Sequence, residues 1–417
     1  RSLVGSEMCI RDSFYAYFFK FHLTMSKVSS LNAIYLATIP IIGIYLLPGG
    51  IPLNWVLTVL LLIVNFLSGN FNNAFQERKG EFKWFLAILI IGFLGFALNS
   101  GNYFSTSLYF NNHATILIFF FSLIVFTAEC NTKLFVNTLE VVGVAAAAVA
   151  IFQRTQLLLT GSFYVDFFIP GLEVSRDLES FSMSRVSSFF TEPAHLAIYL
   201  LPISAILLKQ GKILLFGITA LGILFSGSTT GFLLLFAIIF IYLISAKVKR
   251  IYLFIFAILV GLSAVLIVKY FPDVLLDNVD KLQGSESSDI RLLGPLQHLQ
   301  LFDPIQWIVG IGYNQLGGFL RSHGIYLVTE WGEEVNANYA NAIIYMLISY
   351  GLIGFIYTFR YFVKSIKKYK CDLCFLVIIL GVLASDQVWF NHNLLYILCF
   401  MIFSEDIISF HESQRKI

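Results

Sequence analysis

An all-α polytopic membrane protein is the fold class this sequence predicts, and three observations predict it. Of the 417 residues, 58% are hydrophobic and only 12% charged, and the mean hydropathy is +0.80. The apolar residues come in continuous runs of bilayer length, about 20 residues for a helix that crosses the hydrocarbon core. Those runs alternate regularly with short basic segments. Backbone polar groups inside a bilayer must be satisfied within their own segment, so the runs imply helices. A soluble helical protein needs polar helix faces that are missing here. Barrel strands alternate apolar and polar residues, which these runs do not.

Taken in order, windows of bilayer length place about twelve spans. They lie near 30–47, 51–68, 83–99, 112–129, 134–152, 190–208, 212–227, 230–246, 250–269, 338–358, 372–389 and 392–409. Residues 1–24 are set aside as a sequence artefact or untranslated leader. The stretch Arg1-Ser-Leu-Val-Gly-Ser-Glu-Met-Cys-Ile-Arg-Asp-Ser13 resembles a translated sequencing-adapter tail, and residues 14–24 are apolar but too short to cross. The expected start is Met25, and 25–417 is expected to form a single integral membrane domain.

Lysine and arginine counts orient the chain. With residue 30 starting inside, the inner segments hold about 17 of these residues and the outer segments about 7, a bias that puts both termini in the cytoplasm. Two outer segments, about 153–189 and about 270–337, exceed the length of simple connections and are expected to carry function. The second contains Tyr313, Tyr326, Trp307 and Trp331 and reads as a folded cap, with helical stretches expected at 289–302 and 313–323. It is acidic overall, so it does not draw in a polyanion by net charge, and no nucleic-acid partner is expected. Any anion must be held by a few aimed arginines.

Few residues remain to do chemistry. Thr191-Glu-Pro-Ala-His195 opens a span, with Pro193 suited to a first helical turn and Glu192 favoured at the positive end of the dipole. Glu192 and His195, three apart, share a face if both are helical. Either this is only a well-capped helix, or a carboxylate and an imidazole stand at the mouth of a polar cavity, as ionisable groups at membrane depth usually do. Arg176, Arg185 and Arg291 lie in the outer loops. A guanidinium donates paired hydrogen bonds to phosphate and stays charged, although arginines flanking apolar segments also snorkel or pair with acids.

Weaker marks follow. Asn338 and Asn341 open a span with amides that either bond sugar hydroxyls or cap a helix. Ser226-Gly-Ser-Thr-Thr-Gly231 is a tight outer turn, and Gly310-Ile-Gly312-Tyr-Asn314 a glycine-permitted turn closing a cap helix. Asp386, Asn391 and His392 cluster at the last outer turn as a possible second acid/base group. Asp277 and Asp280 read as an exposed helix face. Cys371 and Cys374 have C-x-x-C spacing with no second pair, and no cysteine falls in the outer loops. The outer loops carry no D-x-D, Walker loop or H-E-x-x-H, so neither metal nor cofactor is expected.

An arginine a few residues before Phe189-Phe-Thr-Glu-Pro-Ala-His-Leu-Ala197 resembles the motif of Wzy-type polysaccharide polymerases, in the O-antigen polymerase and ligase superfamily. The Ser226–Gly231 turn, Arg291 at the head of the large loop, Gly310-Ile-Gly312, and Asn338 to Gly354 agree with it in order and spacing. The resemblance spans about 180–360 in motifs and the whole chain in topology. It implies a GT-C-like membrane glycosyltransferase without metal or nucleotide sugar. Such an enzyme joins undecaprenyl-pyrophosphate-linked oligosaccharide repeat units at the outer face of the bacterial inner membrane, for O-antigen, capsule or exopolysaccharide, with a chain-length regulator as a possible partner. Carried onto this chain, Arg185 and Arg291 hold the pyrophosphate, with Arg176, Asn338 and Asn341 as further substrate contacts. Glu192 is the preferred base, with His195 behind it.

Two rival readings stand beside the polymerase. Ligases of the superfamily carry a His-Asn pair where this chain has Asn336-Ala-Asn338, which favours the polymerase, though His298 or His323 could take the ligase histidine's part. A flippase or transporter also has about twelve spans, but binds near the midplane through broken helices and in-membrane charges. The spans here are nearly free of charge.

Overall fold

The computed structural model describes residues 25–69, 71–99, 106–161, 169, 171–174, 185–245, 294–325 and 340–414. Its helices are α1 (Met25–Ile42), α2 (Leu53–Leu67), α3 (Phe71–Glu77), α4 (Lys79–Asn99), α5 (Thr106–Ala128), α6 (Thr132–Thr160), α7 (Pro193–Gln210), α8 (Ile213–Phe225), α9 (Thr229–Ser245), α10 (Gly294–His298), α11 (Pro304–Val309), α12 (Leu316–Ser322), α13 (Ala342–Lys368), α14 (Leu373–Ser385), α15 (His392–Ile402) and α16 (Ser404–Gln414). This is an all-α architecture built from apolar helices, as a membrane protein requires.

The expected windows find apolar helices wherever the chain is described, but not at the expected lengths. By length and composition five helices can cross a membrane, namely α4, α5 (from Tyr109), α6, α7 and α13, and the bent pair α2 and α3 makes a sixth. Five further apolar helices, beginning with Lys27–Ile42 within α1, run only 10–17 residues. The count of twelve is therefore not reached among the described residues, and the expected span 250–269 lies outside them. Burial supplies a reason for one of the five short helices, α15, which lies inside the bundle beside the longer α7. α7 and α15 sit inside the bundle, with 78% of the α7 window buried and every residue of α15 from Asn393 to Ile402 buried. A helix surrounded by protein need not match the hydrocarbon thickness.

The core is one large cluster centred on these two helices. Tyr199 of α7 stacks on Tyr396 of α15, with ring centroids 5.0 Å apart. The Tyr199 hydroxyl donates to the Ala37 carbonyl of α1 (3.0 Å), and that of Tyr396 to the Tyr199 carbonyl (2.8 Å). Around the core, apolar side chains face outward: Phe66 of α2 is 66% exposed, Ile90 of α4 60% and Phe359 of α13 63%. Outward-facing apolar surface on this scale is what lipid contact provides for.

Three departures concern the connections. A small antiparallel sheet joins β1 (Tyr45–Leu47), β2 (Ile51–Pro52) and β3 (Glu173–Val174), with β1 in the middle. It shortens the first expected span, 30–47, to end at Ile42. α6 runs on to Thr160, so Arg154, expected in the outer loop, is a buried helix residue. The cap expected at 289–302 and 313–323 forms as α10, a 3₁₀ turn (Leu299–Leu301) and α12, with the unanticipated α11 between them. α11 starts on a capping box, in which Asp303 and Gln306 accept from each other's backbone N–H groups.

The cap holds to α13 through backbone. Gly351 has φ 61 and ψ −167, and the helix bends there. The bend frees carbonyls, and Ile311 N–H donates to Ile348 O (2.9 Å) while Gly312 N–H donates to Ser349 O (3.0 Å). Leu299, Phe302, Ile311, Leu316, Phe319 and Leu320 then close a second small core over Ile344 and Ile348 of α13.

Candidate functional site

The helices sort their polar residues to two ends. One end gathers the start of α7, the turn between α8 and α9, the start of α13 and the loop between α14 and α15. The segment leading into α7 does not behave as a surface loop. Val186, Ser187 and Ser188 are fully buried, and Phe190 nearly so against Tyr199. Ser188, with φ +53, is held by Gln153 on both sides: its N–H donates to Gln153 Oε1 (2.8 Å), and Gln153 Nε2 donates to its carbonyl (3.3 Å). The Ser188 hydroxyl donates to the Ala146 carbonyl (2.7 Å). Gln153 is the residue sequence reasoning missed, because an amide on a helix carries no signal of what it will grip.

This dip presents the next residues at the rim. Glu192 stands at the N-cap position of α7, in extended conformation, yet its side chain caps nothing. Among the described residues this half-buried carboxylate makes no hydrogen bond or ion pair. Pro193 occupies the first turn, as expected. His195 does not turn to Glu192. Its Nδ1 lies 3.0 Å from Thr191 Oγ1 and its Nε2 lies 3.7 Å from Asp386 Oδ2, with side-chain exposures of 25% and 15% for the histidine and the aspartate. Asp386 is itself fixed: Oδ1 accepts from Gln387 N–H (2.8 Å), and its carbonyl accepts from Ala342 N–H (2.9 Å) at the head of α13. His392 packs beside this pair against Gly43, where a Cβ would lie 2.7 Å from the imidazole. The last outer turn, a weak mark in the sequence, thus supplies the carboxylate that faces His195.

Arg185 lies along the Ser226–Gly231 turn, its side chain 3.3 Å from where a Cβ of Gly227 would stand. The turn packs on α7 at Ala197, two residues beyond His195, where a Cβ on Gly231 would lie 2.6 Å from Ala197 Cβ. Two of the motifs, the arginine and the Ser-Gly turn, are therefore neighbours beside the first turn of α7. Asn341 takes the capping role of its two alternatives: it is 4% exposed and its Oδ1 accepts from Ile344 N–H (2.9 Å). The cap engages its amide oxygen. Arg176, Arg291 and Asn338 lie outside the described residues.

A polar lattice roofs this end. Asn112 Nδ2 donates to the Tyr313 carbonyl (2.9 Å), Asn314 Nδ2 to Asn112 Oδ1 (3.0 Å), and the Tyr345 hydroxyl to Asn314 Oδ1 (2.6 Å). The Tyr313 hydroxyl donates to the Trp389 carbonyl (2.8 Å), joining the cap to the loop that holds Asp386. His323 is taken up locally, its Nδ1 2.9 Å from the Phe319 carbonyl. His298 is half-buried in the cap, and that burial pushes it below the ordinary histidine range. Among the described residues no group of three His, Cys, Asp or Glu stands close enough to hold a metal ion, and Cys371 and Cys374 are free thiols.

No protein-family model and no curated protein matches this chain.

The opposite end is basic. Lys209 pairs with Asp372, Lys212 with Glu140 and Lys370 with Glu405. Arg78 donates to the Thr127 carbonyl (2.7 Å) and to the Tyr369 hydroxyl (3.2 Å). Among the described residues, cations far apart in the chain thus meet at one end of the bundle.

Proposed function

We propose that the chain is a membrane glycosyltransferase that polymerises undecaprenyl-pyrophosphate-linked oligosaccharide repeat units, at the outer face of a bacterial inner membrane, with the basic end in the cytoplasm. The observation that carries the reading is the grouping at one end of an uncommitted Glu192, a His195 faced by Asp386, and Arg185 on the neighbouring turn.

The chemistry asked of such a site is limited. The sugar is already activated by its pyrophosphate. An acceptor hydroxyl oxygen forms a bond to the anomeric carbon while the bond from that carbon to the pyrophosphate oxygen breaks. The electron pair leaves with the pyrophosphate, and the hydroxyl proton passes to a base. Arg185, with Arg291, is assigned to the departing anion, where one aimed donor is commonly worth about 10²–10³ in rate. Glu192 takes the proton, an effect worth about 10²–10⁴. His195, steadied by Asp386 and Thr191, bonds the incoming hydroxyl or shares the proton. Arg176, Asn338 and Asn341 remain further substrate contacts in this reading.

The test is the full chain in nanodiscs with lipid-linked repeat units and EDTA, the glycan being run on a gel. Wild type is expected to give a ladder. Arg185→Ala and Glu192→Gln are expected to lose it by at least about 100-fold, and Asp386→Asn to weaken it. Unextended repeat units from folded wild type with every cognate substrate tried would sink the proposal.

A further inference from the structure

At the basic end, α3, α4 and α13 surround a cavity of about 690 Å³. Tyr361 of its lining stacks on the buried Trp84 at 4.3 Å, and the Trp84 indole donates to Thr358 Oγ1 (3.0 Å). Five cations line the cavity, Lys79, Lys83, Arg360, Lys364 and Lys368, against two carboxylates. Glu77 is paired with Arg78 (3.1 Å). Glu81 is fully buried in the wall, accepting from the hydroxyls of Tyr369 (2.8 Å) and Tyr361 (3.4 Å). Lys368 lies on Tyr369. Among the described residues, Lys79, Lys83, Arg360 and Lys364 make no ion pair, while three other lysines at this end each have a carboxylate. Among the described residues the cavity therefore holds an excess of positive charge without a paired carboxylate.

The surface leading from the cavity names the ligand class. On α4 the residues at helical spacing are Lys79, Lys83, Leu86, Ile90 and Phe93, and the last three are 41%, 60% and 59% exposed. On α13, Lys364 and Arg360 continue into Ile356 and Ile353, 61% and 47% exposed. Each helix thus runs from cations to outward-facing apolar side chains along one face. From Lys83 to Phe93 is about 15 Å at 1.5 Å per residue, the hydrocarbon depth of one leaflet, half of about 30 Å. A soluble phosphate ester uses only the charged end of that track. An amphiphile uses all of it.

We propose that this cavity binds the headgroup of an anionic phospholipid, with its acyl chains on the exposed faces of α4 and α13. Basic pockets between spanning helices are suited to such headgroups. The site is separate from the one assigned to sugar transfer and does not depend on that assignment.

The test is native mass spectrometry of the full chain, loaded with phosphatidylglycerol or with phosphatidylcholine of the same acyl chains. Retention of phosphatidylglycerol over phosphatidylcholine is expected. A cation near an anionic lipid is worth roughly fivefold in affinity, so Arg360→Gln with Lys364→Gln should weaken retention by about tenfold or more. Neutralising Lys27 and Lys367, exposed cations that do not line the cavity, should change it less than about threefold. Arg360→Lys with Lys364→Arg keeps the charge and should keep the lipid. Equal retention of the two lipids, or equal loss from the two neutralised pairs, overturns the proposal. A thermal shift with glycerol phosphate as large as with phosphatidylglycerol assigns the cavity to soluble phosphate esters and overturns it too.

Discussion

Replacing Gly310 by alanine tests the junction between cap and bundle. Gly310 has φ 79 and ψ 178, a region essentially confined to glycine. An added Cβ would lie 2.4 Å from the carbonyl carbon and oxygen of Ser349 and 2.5 Å from Tyr350 N, all of them backbone atoms that cannot rotate away. The backbone conformation alone costs about 1–3 kcal/mol, and overpacking of this kind adds about 1–3 kcal/mol. Relief of one partly relieves the other, so the net loss should be about 2–4 kcal/mol. At about 2 °C per kcal/mol for a chain of this size, the apparent unfolding midpoint in detergent should fall by about 4–8 °C. Amide exchange should rise first at Ile311 and Gly312, whose N–H groups bond the freed carbonyls of α13. Gly217→Ala, where nothing lies within 4 Å of the new Cβ, is the control. A midpoint within about 1 °C of wild type, with exchange at Ile311 unchanged, would refute the close approach of cap and helix.

Three further outcomes are expected. Glu192→Ala should leave stability within about 0.5 kcal/mol, since the side chain caps nothing, whereas Asn341→Ala should cost about 1 kcal/mol through loss of a true cap; thermal melts of the two variants separate them. Gln153→Leu should cost about 2–3 kcal/mol, because it removes the two hydrogen bonds that Gln153 makes to the buried backbone of Ser188, and proteolysis should then reach residues 185–190. Burial lowers the His298 value, so the folded cap favours the neutral form and its contribution is complete above the unfolded histidine value near 6.5. That contribution is lost as pH falls below 6.5, and lower amide protection over 294–302 at pH 5.5 than at 7.5, each corrected for the intrinsic exchange rate at that pH and the difference abolished by His298→Gln, checks the sign.

What the sequence conveyed was periodicity and local chemistry. Runs such as 83–99 and 134–152 became helices because continuous apolar composition leaves the backbone no other way to bond. Pro193 and Asn341 stand where turn chemistry places them. The sequence did not convey which helices are surrounded by protein: α7 and α15 read like any lipid-facing span, and only packing makes them central. Nor did it reveal partners across long separations. His195 sits three residues from Glu192 in the chain, yet faces Asp386, 191 residues away, because the loop between α14 and α15 folds over the start of α7. Residues 186–188 seemed a surface loop, since nothing local announces that Gln153 will satisfy Ser188 inside the bundle. The sheet of β1, β2 and β3 escaped notice because strands of two or three residues carry too little alternation to read.

The bend at Gly351 gives α13 a mechanical character. The cap grips the helix on the near side of the bend, while Arg360 and Lys364 ride on the far arm, the latter about 20 Å away along the axis. A swing of about 10° at that hinge carries Lys364 sideways by about 3 Å. The helix is thus a lever with its fulcrum at one glycine, and whatever tilts the cap at one end also moves the charges at the other.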